Sequence, residues 1–240
     1  AFIPGRLITD NAIIGFECLH AIKRNKFSAG NYLALKLDMS KAYDRVEWPF
    51  LLAMMRRLGF SEKWCQIIHR CISSVSYSVI INGVPHGSFS PSRGLRQGDP
   101  LSPYLFLFCT EGLSTLLKFA EQHRGLQGLR CGNMGPIISH LFFADDSLIF
   151  TRASQTNCTS IKEILRSYEH ASRQLINYQK SAVCFGKSIS GDVAAILTQY
   201  LGVVQVPHHS KYLGLPCVTS KNKQNLFAAV NEKVWNKLKG

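Results

Sequence analysis

The chain reads as an α+β protein, a mostly antiparallel sheet backed by helices, on three observations. Apolar periodicity switches along its length between two and 3.6, so strands and helices interleave. The β-branched run Val75 to Ile81 ends on the turn-prone pair Asn82-Gly83, the mark of a hairpin. Two apolar runs, Ile137–Ala144 and Leu148–Phe150, flank Asp145-Asp146-Ser147 like strands around a turn. With 46% hydrophobic and 18% charged residues among 240, the chain can bury a core and is not intrinsically disordered.

Each element has its own signal. Residues 32–38 alternate as a strand, with Leu33, Leu35 and Leu37 on the core face and Ala34, Lys36 and Asp38 on the open one. Helices are expected over 49–58 and 62–73; Pro49 opens the first, because its fixed φ suits a first turn, and Gly59 closes it. A longer helix follows over about 100–123, with Asp99 as N-cap and Pro100 as first helical residue. The runs around Asp145-Asp146 are apolar on both faces and so read as buried, central strands. Residues 158–175 place Ile161, Ile164, Leu165, Tyr168, Ala171 and Leu175 on one helical face. Short strands are expected near Ala182–Phe185 and Tyr212–Cys217, then a basic helix over 222–239 with Leu226, Val230, Val234 and Leu238 in one stripe.

The charge narrows the function classes. Lys and Arg number 28 against 15 Asp and Glu, a net +13, which favours a polyanionic partner. Leu101–Ala120, the most apolar stretch, contains Glu111 and is broken by Ser102, Pro103, Thr110 and Gly112, so no membrane span is expected. No charged-then-apolar leader opens the sequence, so an intracellular setting is expected. The eight cysteines include no C-x-x-C pair and read as free thiols of a reducing compartment, without disulfide partners. His208-His209 near Cys217 matches no common zinc spacing and reads as a polar loop.

Acids that interrupt apolar strands carry the most information. Taken alone, Asp145-Asp146 reads as a tight turn, where Asp is common because it tolerates unusual dihedrals. Asp38, at the end of another alternating strand and on its open face, changes that balance. If the strands are neighbours, three carboxylates converge at one rim of the sheet and repel one another unless a cation neutralises them. A pair of Mg²⁺ ions about 3.5–4 Å apart uses such a set for phosphoryl transfer.

These residues also carry a resemblance. Leu37-Asp38-Met39-Ser40-Lys41-Ala42-Tyr43-Asp44-Arg45-Val46 resembles the first catalytic block of reverse transcriptases, and Phe143-Ala144-Asp145-Asp146 their aromatic-x-Asp-Asp block. Between them, Arg93 to Pro103 (RGLRQGDPLSP) is similar to the template and nucleotide block. Ile176 to Ser181 and Tyr212-Leu213-Gly214 resemble the later palm blocks, and Phe2 to Arg6 the end of the fingers. The wording is closest to non-LTR (long interspersed element type) retrotransposons, especially plant-like copies.

The resemblance implies a right-hand polymerase palm: fingers end over 1–30, palm over 31–205 with an inserted fingers segment around 60–100, primer grip and start of a basic thumb over 206–240. It implies Asp38, Asp145 and Asp146 as metal-binding acids with the Met39 carbonyl beside them, two Mg²⁺ ions (Mn²⁺ as substitute), and Lys180 as proton donor to departing pyrophosphate. Tyr43 would exclude a 2′-OH by steric clash; Arg96, Gln97, Gly98, Phe143 and Ala144 would meet dNTP and template; Tyr212, Leu213 and Gly214 would meet the primer. The implied partners are RNA template, DNA primer, their hybrid and dNTPs, with action in the nucleus. Two alternatives stand beside it: a catalytically inactive nucleic-acid-binding remnant, and a splicing-maturase relative.

Overall fold

The computed structural model describes residues 5, 7–26, 31–123, 125–132, 134–217, 231–232 and 234–239. In chain order the elements are α1 (Ile8–Arg24), β1 (Tyr32–Leu37), α2 (Trp48–Arg57), α3 (Glu62–Ser73), β2 (Tyr77–Ile81), β3 (Val84–Phe89) and α4 (Ser102–Gln122). There follow β4 (Leu129–Arg130), β5 (Ile137–Ile138), β6 (His140–Phe143), β7 (Asp146–Arg152), α5 (Gln155–Ser172), β8 (Ala182–Phe185), α6 (Gly191–Leu201), β9 (Val204–Gln205), β10 (Lys211–Tyr212) and β11 (Leu215–Pro216).

Five strands make the main sheet in the order β6-β7-β1-β8-β9, antiparallel except for the β8–β9 pair. β1 is central because it is sandwiched by apolar layers on both faces. Leu33, Leu35 and Leu37 point into the larger core, against Phe106, Leu113 and Leu117 of α4 and Ile161, Leu165 and Tyr168 of α5. Ala34 points the other way, into a second core with Cys18, Leu19 and Ile22 of α1 and with Tyr212. The expected open face is therefore covered along most of its length and opens only towards Lys36 and Asp38, both half-buried. β7 alternates in step, Ile149 entering the first core, Leu148 and Phe150 the second.

Several expectations change. β7 is internal to the sheet, but β6 lies at its edge, so the two apolar runs are not both central. The expected helix start at Pro100 falls two residues early. The Asp99 carboxylate accepts the Leu101 N–H at 2.8 Å and its carbonyl accepts Ser102 N–H at 3.2 Å, holding 99–102 as a turn. Pro103, not Pro100, takes the first helical turn. α5 ends at Ser172, where Arg173 turns left-handed (φ 58°), so Leu175 lies beyond the helix and is exposed; Ala171, still within it, is also exposed and not on the packed face. His209 is no solvated loop residue: it is buried, with Nε2 3.0 Å from the Ala34 carbonyl.

Two helices, α1 and α6, lacked an assignment from sequence. α6 has a Ser190 cap on Val193 N–H and a left-handed Gly202 at its end, signals that were present in the sequence. Among the described residues, no helix is long and apolar enough to cross a membrane. Residues 2–4 and 6 of the expected fingers end, and Leu226 and Val230 of the terminal stripe, lie outside the described residues. Residues 231–232 and 234–239 are helical, with Val234 and Leu238 exposed.

Candidate active site

Strand register sets which end of the sheet carries the acids. β1 pairs with β7 so that Lys36 lies opposite Leu148 and Leu37 opposite Ser147. The pairing ends there, with Asp38 the residue after β1 and Asp146 the first residue of β7. Period-two alternation puts both on the α1 side of the sheet. β6 and β7 turn through Ala144 and Asp145, with Phe143 paired to Asp146 and Ala144 left-handed at φ 50°. The turn reading is what the structure shows: Asp145 is exposed at the tip of the β6–β7 hairpin, beside the end of β1.

A lysine that sequence reasoning passed over completes this corner. Lys36 Nζ stands 3.2 Å from Asp146 Oδ1 and 3.4 Å from the Lys211 carbonyl. Its signal was its place two residues before Asp38, on the same strand face. Both partners are about a third exposed (31% and 38%), so the pair contributes at most about 1 kcal/mol. Among the described residues no three His, Cys, Asp or Glu side chains form a ready metal-holding group. Asp146 instead engages the Lys36 ammonium, a stand-in that shows this corner accepting positive charge. Carboxylates and carbonyls are the hard oxygen donors that suit Mg²⁺, so the donor types present here fit such an ion.

The peptide around Asp38 is clamped by the Ile176–Ser181 block. Asn177 N–H donates to the Asp38 carbonyl at 2.8 Å, Ser40 N–H to the Leu175 carbonyl at 2.8 Å, and Asp38 N–H to Ser181 Oγ at 3.1 Å. Met39 and Ile176 form the non-bonded pair of this bridge. The Met39 carbonyl consequently points to the other edge of the strand, the side on which β7 brings its acids. Lys180 is exposed on the turn of the same clamp, where Asn177 Oδ1 accepts its backbone N–H at 3.2 Å.

Tyr43 is half-buried and stacked on Phe106, with ring centroids 4.8 Å apart and planes at 15°. Burial first, then the charge of Asp145, raises its phenol above the ordinary value. The loop bearing Tyr43 is joined to the Arg93–Pro103 block: Leu95 N–H donates to the Tyr43 carbonyl at 2.9 Å, Gly94 N–H to Val46 at 2.8 Å, and Trp48 Nε1 to Gly94 at 2.8 Å. Gly94, at φ +89°, is required here, since a Cβ would lie 2.9 Å from the Asp44 carbonyl oxygen. The close approach is thus to the chain itself and not to a nucleotide. Gly94→Ala is expected to lower unfolding free energy by about 2–4 kcal/mol in urea titration, through strain plus that clash.

Arg96 and Gln97 are exposed and line a cavity of about 340 Å³ with Asp44, Tyr77, Phe89 and Asp99. They precede α4 by several residues and project from the turn before it. Gly98, at φ +91°, has open space around its Cα and serves that turn. Tyr43, Phe143 and Ala144 stand outside this cavity, at the acid corner. Tyr212 departs furthest from its expected role. Its ring is wholly buried against Gly15 of α1, and burial followed by the Asp146 charge raises its phenol. The side chain cannot touch a primer; it fastens the β10–β11 hairpin, whose left-handed Leu213-Gly214 tip is what solvent reaches.

The family described as reverse transcriptase (RNA-dependent DNA polymerase) matches residues 1–217. The Transposon TX1 149 kDa protein of Xenopus laevis is 29% identical over 190 residues, 79% of this chain and 14% of that protein. The Pol polyprotein of the type-1 retrotransposable element R2 of Popillia japonica is 32% identical over 130 residues, 54% of this chain and 20% of that one. An uncharacterised mitochondrial protein of Arabidopsis thaliana is 60% identical over 68 residues, 28% of this chain and 56% of that one. The chain thus spans about half or less of the length of these relatives. Telomerase from Candida albicans, solved with a fragment of telomeric RNA, shares the fold at TM-score 0.54 and 16% identity over 77% of this chain and 31% of that one. The α+β architecture is therefore a polymerase palm, and the chain belongs to the reverse transcriptase (RNA-dependent DNA polymerase) family.

Proposed function

We propose that this chain is the palm-and-fingers part of an RNA-directed DNA polymerase of a non-LTR retroelement, joining dNTPs to a primer 3′-OH on an RNA template. The observation that supports it is the β1–β7 register, which ends at Leu37 opposite Ser147 and so leaves Asp38 and Asp146 at one end of the sheet beside the Asp145 turn. In this reading Asp38, Asp145, Asp146 and the Met39 carbonyl hold two Mg²⁺ ions. When bound, the ions supply Lewis-acid stabilisation of the oxygens that enter and leave in phosphoryl transfer. The chain's own residues do the rest. Tyr43, stiffened by Phe106, presents a flat wall that a 2′-OH would meet. Arg96 and Gln97 face phosphate and base from the cavity beside it. Lys180 stands free in solvent to give a proton to leaving pyrophosphate, and Leu213-Gly214 offers backbone to the primer. Segments 1–30 and 206–240 serve as fingers end and primer grip, and the reaction takes place in the nucleus.

The test is elongation of a DNA primer annealed to an RNA template, by this chain with four dNTPs and Mg²⁺. Incorporation that EDTA abolishes and Mn²⁺ partly restores is the expected result. The engagement of Asp146 by Lys36 favours one second reading, a non-catalytic nucleic-acid-binding remnant. That reading predicts hybrid binding that weakens steeply with salt and no incorporation under any divalent ion.

A further inference from the structure

We propose that Cys18 and Cys131 form a redox modification site, closing to a disulfide under a disulfide oxidant of the glutathione class. The two sulfurs lie 3.2 Å apart although 113 positions separate the residues. Cys18 sits on the inward face of α1 with no exposure, whereas Cys131, just after β4, is half-buried. A disulfide needs the sulfurs about 2.05 Å apart, so they have only about 1 Å to close.

Exposure sets the order of events. The Cys131 thiolate attacks one sulfur of oxidised glutathione; the S–S bond breaks, and the electron pair leaves on a glutathione thiolate, which takes up the proton Cys131 released. Cys18 then loses its proton and attacks the Cys131 sulfur, expelling the second glutathione with that electron pair and proton. Two protein thiols are oxidised by two electrons, and one glutathione disulfide is reduced to two thiols. Burial pushes the Cys18 thiol well above its ordinary value, so the second step is the slow one. The bond ties α1 to the β4–β5 pair (Leu129 opposite Ile138), which runs directly into β6. α1 already holds β6 through Asn11 Nδ2, which donates to the Phe142 carbonyl at 2.9 Å. Oxidation therefore braces from two sides the strand that carries the Asp145 turn.

The reduced chain is incubated with oxidised glutathione at mildly alkaline pH, blocked with an alkylating agent and mapped by peptide mass spectrometry. A Cys18–Cys131 cross-linked peptide is expected, with a thermal midpoint raised by about 10 °C and reversed by dithiothreitol. Cys18→Ser should retain a glutathione adduct on Cys131 without the rise. Cys131→Ser should show neither cross-link nor rise. Glutathione on the exposed Cys71 of all three chains reports that the oxidant acted. Wild-type chain carrying only a Cys131 adduct, or linking Cys131 to Cys184 or Cys217 instead, overturns the proposal.

Discussion

Asp145→Ala is expected to lower nucleotide incorporation at least ~10³-fold while leaving the fold intact. The size follows from charge. A carboxylate that helps hold two divalent ions stabilises the whole of the charge developing on the transferred phosphoryl group, and losing it removes several kcal/mol of transition-state binding. Folding should be spared because Asp145 is exposed at a hairpin tip, where substitutions stay within about 0.5 kcal/mol. Asp38→Asn, which keeps shape and removes charge, should lose activity comparably. Lys36→Gln separates charge neutralisation from ion holding: it frees Asp146 from its 3.2 Å partner, and should alter the Mg²⁺ concentration for half-maximal rate more than the rate at saturation. Steady-state incorporation alongside thermal midpoints reads all three variants. Undiminished extension by Asp145→Ala would remove the proposed mechanism.

The strands that carry the acids were legible because their signals are local and periodic. Alternation in 32–38 fixes which face Asp38 shares with Lys36, and an acid pair between two apolar runs reads first as a turn, which the β6–β7 hairpin is. Residues whose meaning depends on a distant partner were misread. Tyr212 looks like an accessible ring until Gly15, almost two hundred positions earlier, is seen to leave room for it. Gly94 belongs to the block likened to a template and nucleotide block, yet the space beside its Cα is taken by the Asp44 carbonyl. The Asp99-Pro100 pair satisfies every local rule for a helix start, yet Asp99 spends its carboxylate on Leu101 and delays the helix to Ser102. The face opposite Leu33, Leu35 and Leu37 was expected to be open because α1, which covers it, had not been identified. Lys36 and Phe106 act only through the groups they touch, Asp146 and Tyr43, so residue type alone carried no hint of them.

Acid should unfold this chain in part through one histidine. His140 begins β6, half-buried between α4 and the strand, with Nε2 3.0 Å from Ser114 Oγ and Nδ1 3.0 Å from Ser139 Oγ; Ser139 Oγ donates to Glu121 at 2.9 Å. Desolvation first, then the charge of Lys118, depresses its pKa from 6.5 to about 4. The unfolded chain therefore binds a proton between about pH 6.5 and pH 4 that the folded chain refuses. Stability is whole above pH 6.5 and falls as the pH drops through that window, by about 3 kcal/mol at most for a shift of this size. His140→Gln keeps a polar side chain between the two serines and carries no titrating group. Its urea midpoint should sit below that of the parent at pH 7, because one ring nitrogen contact is lost, yet the gap should narrow as the pH falls to 4. Parallel pH curves for the two chains would show that the proton is taken elsewhere, and that the serine pair holds His140 without opposing its charge.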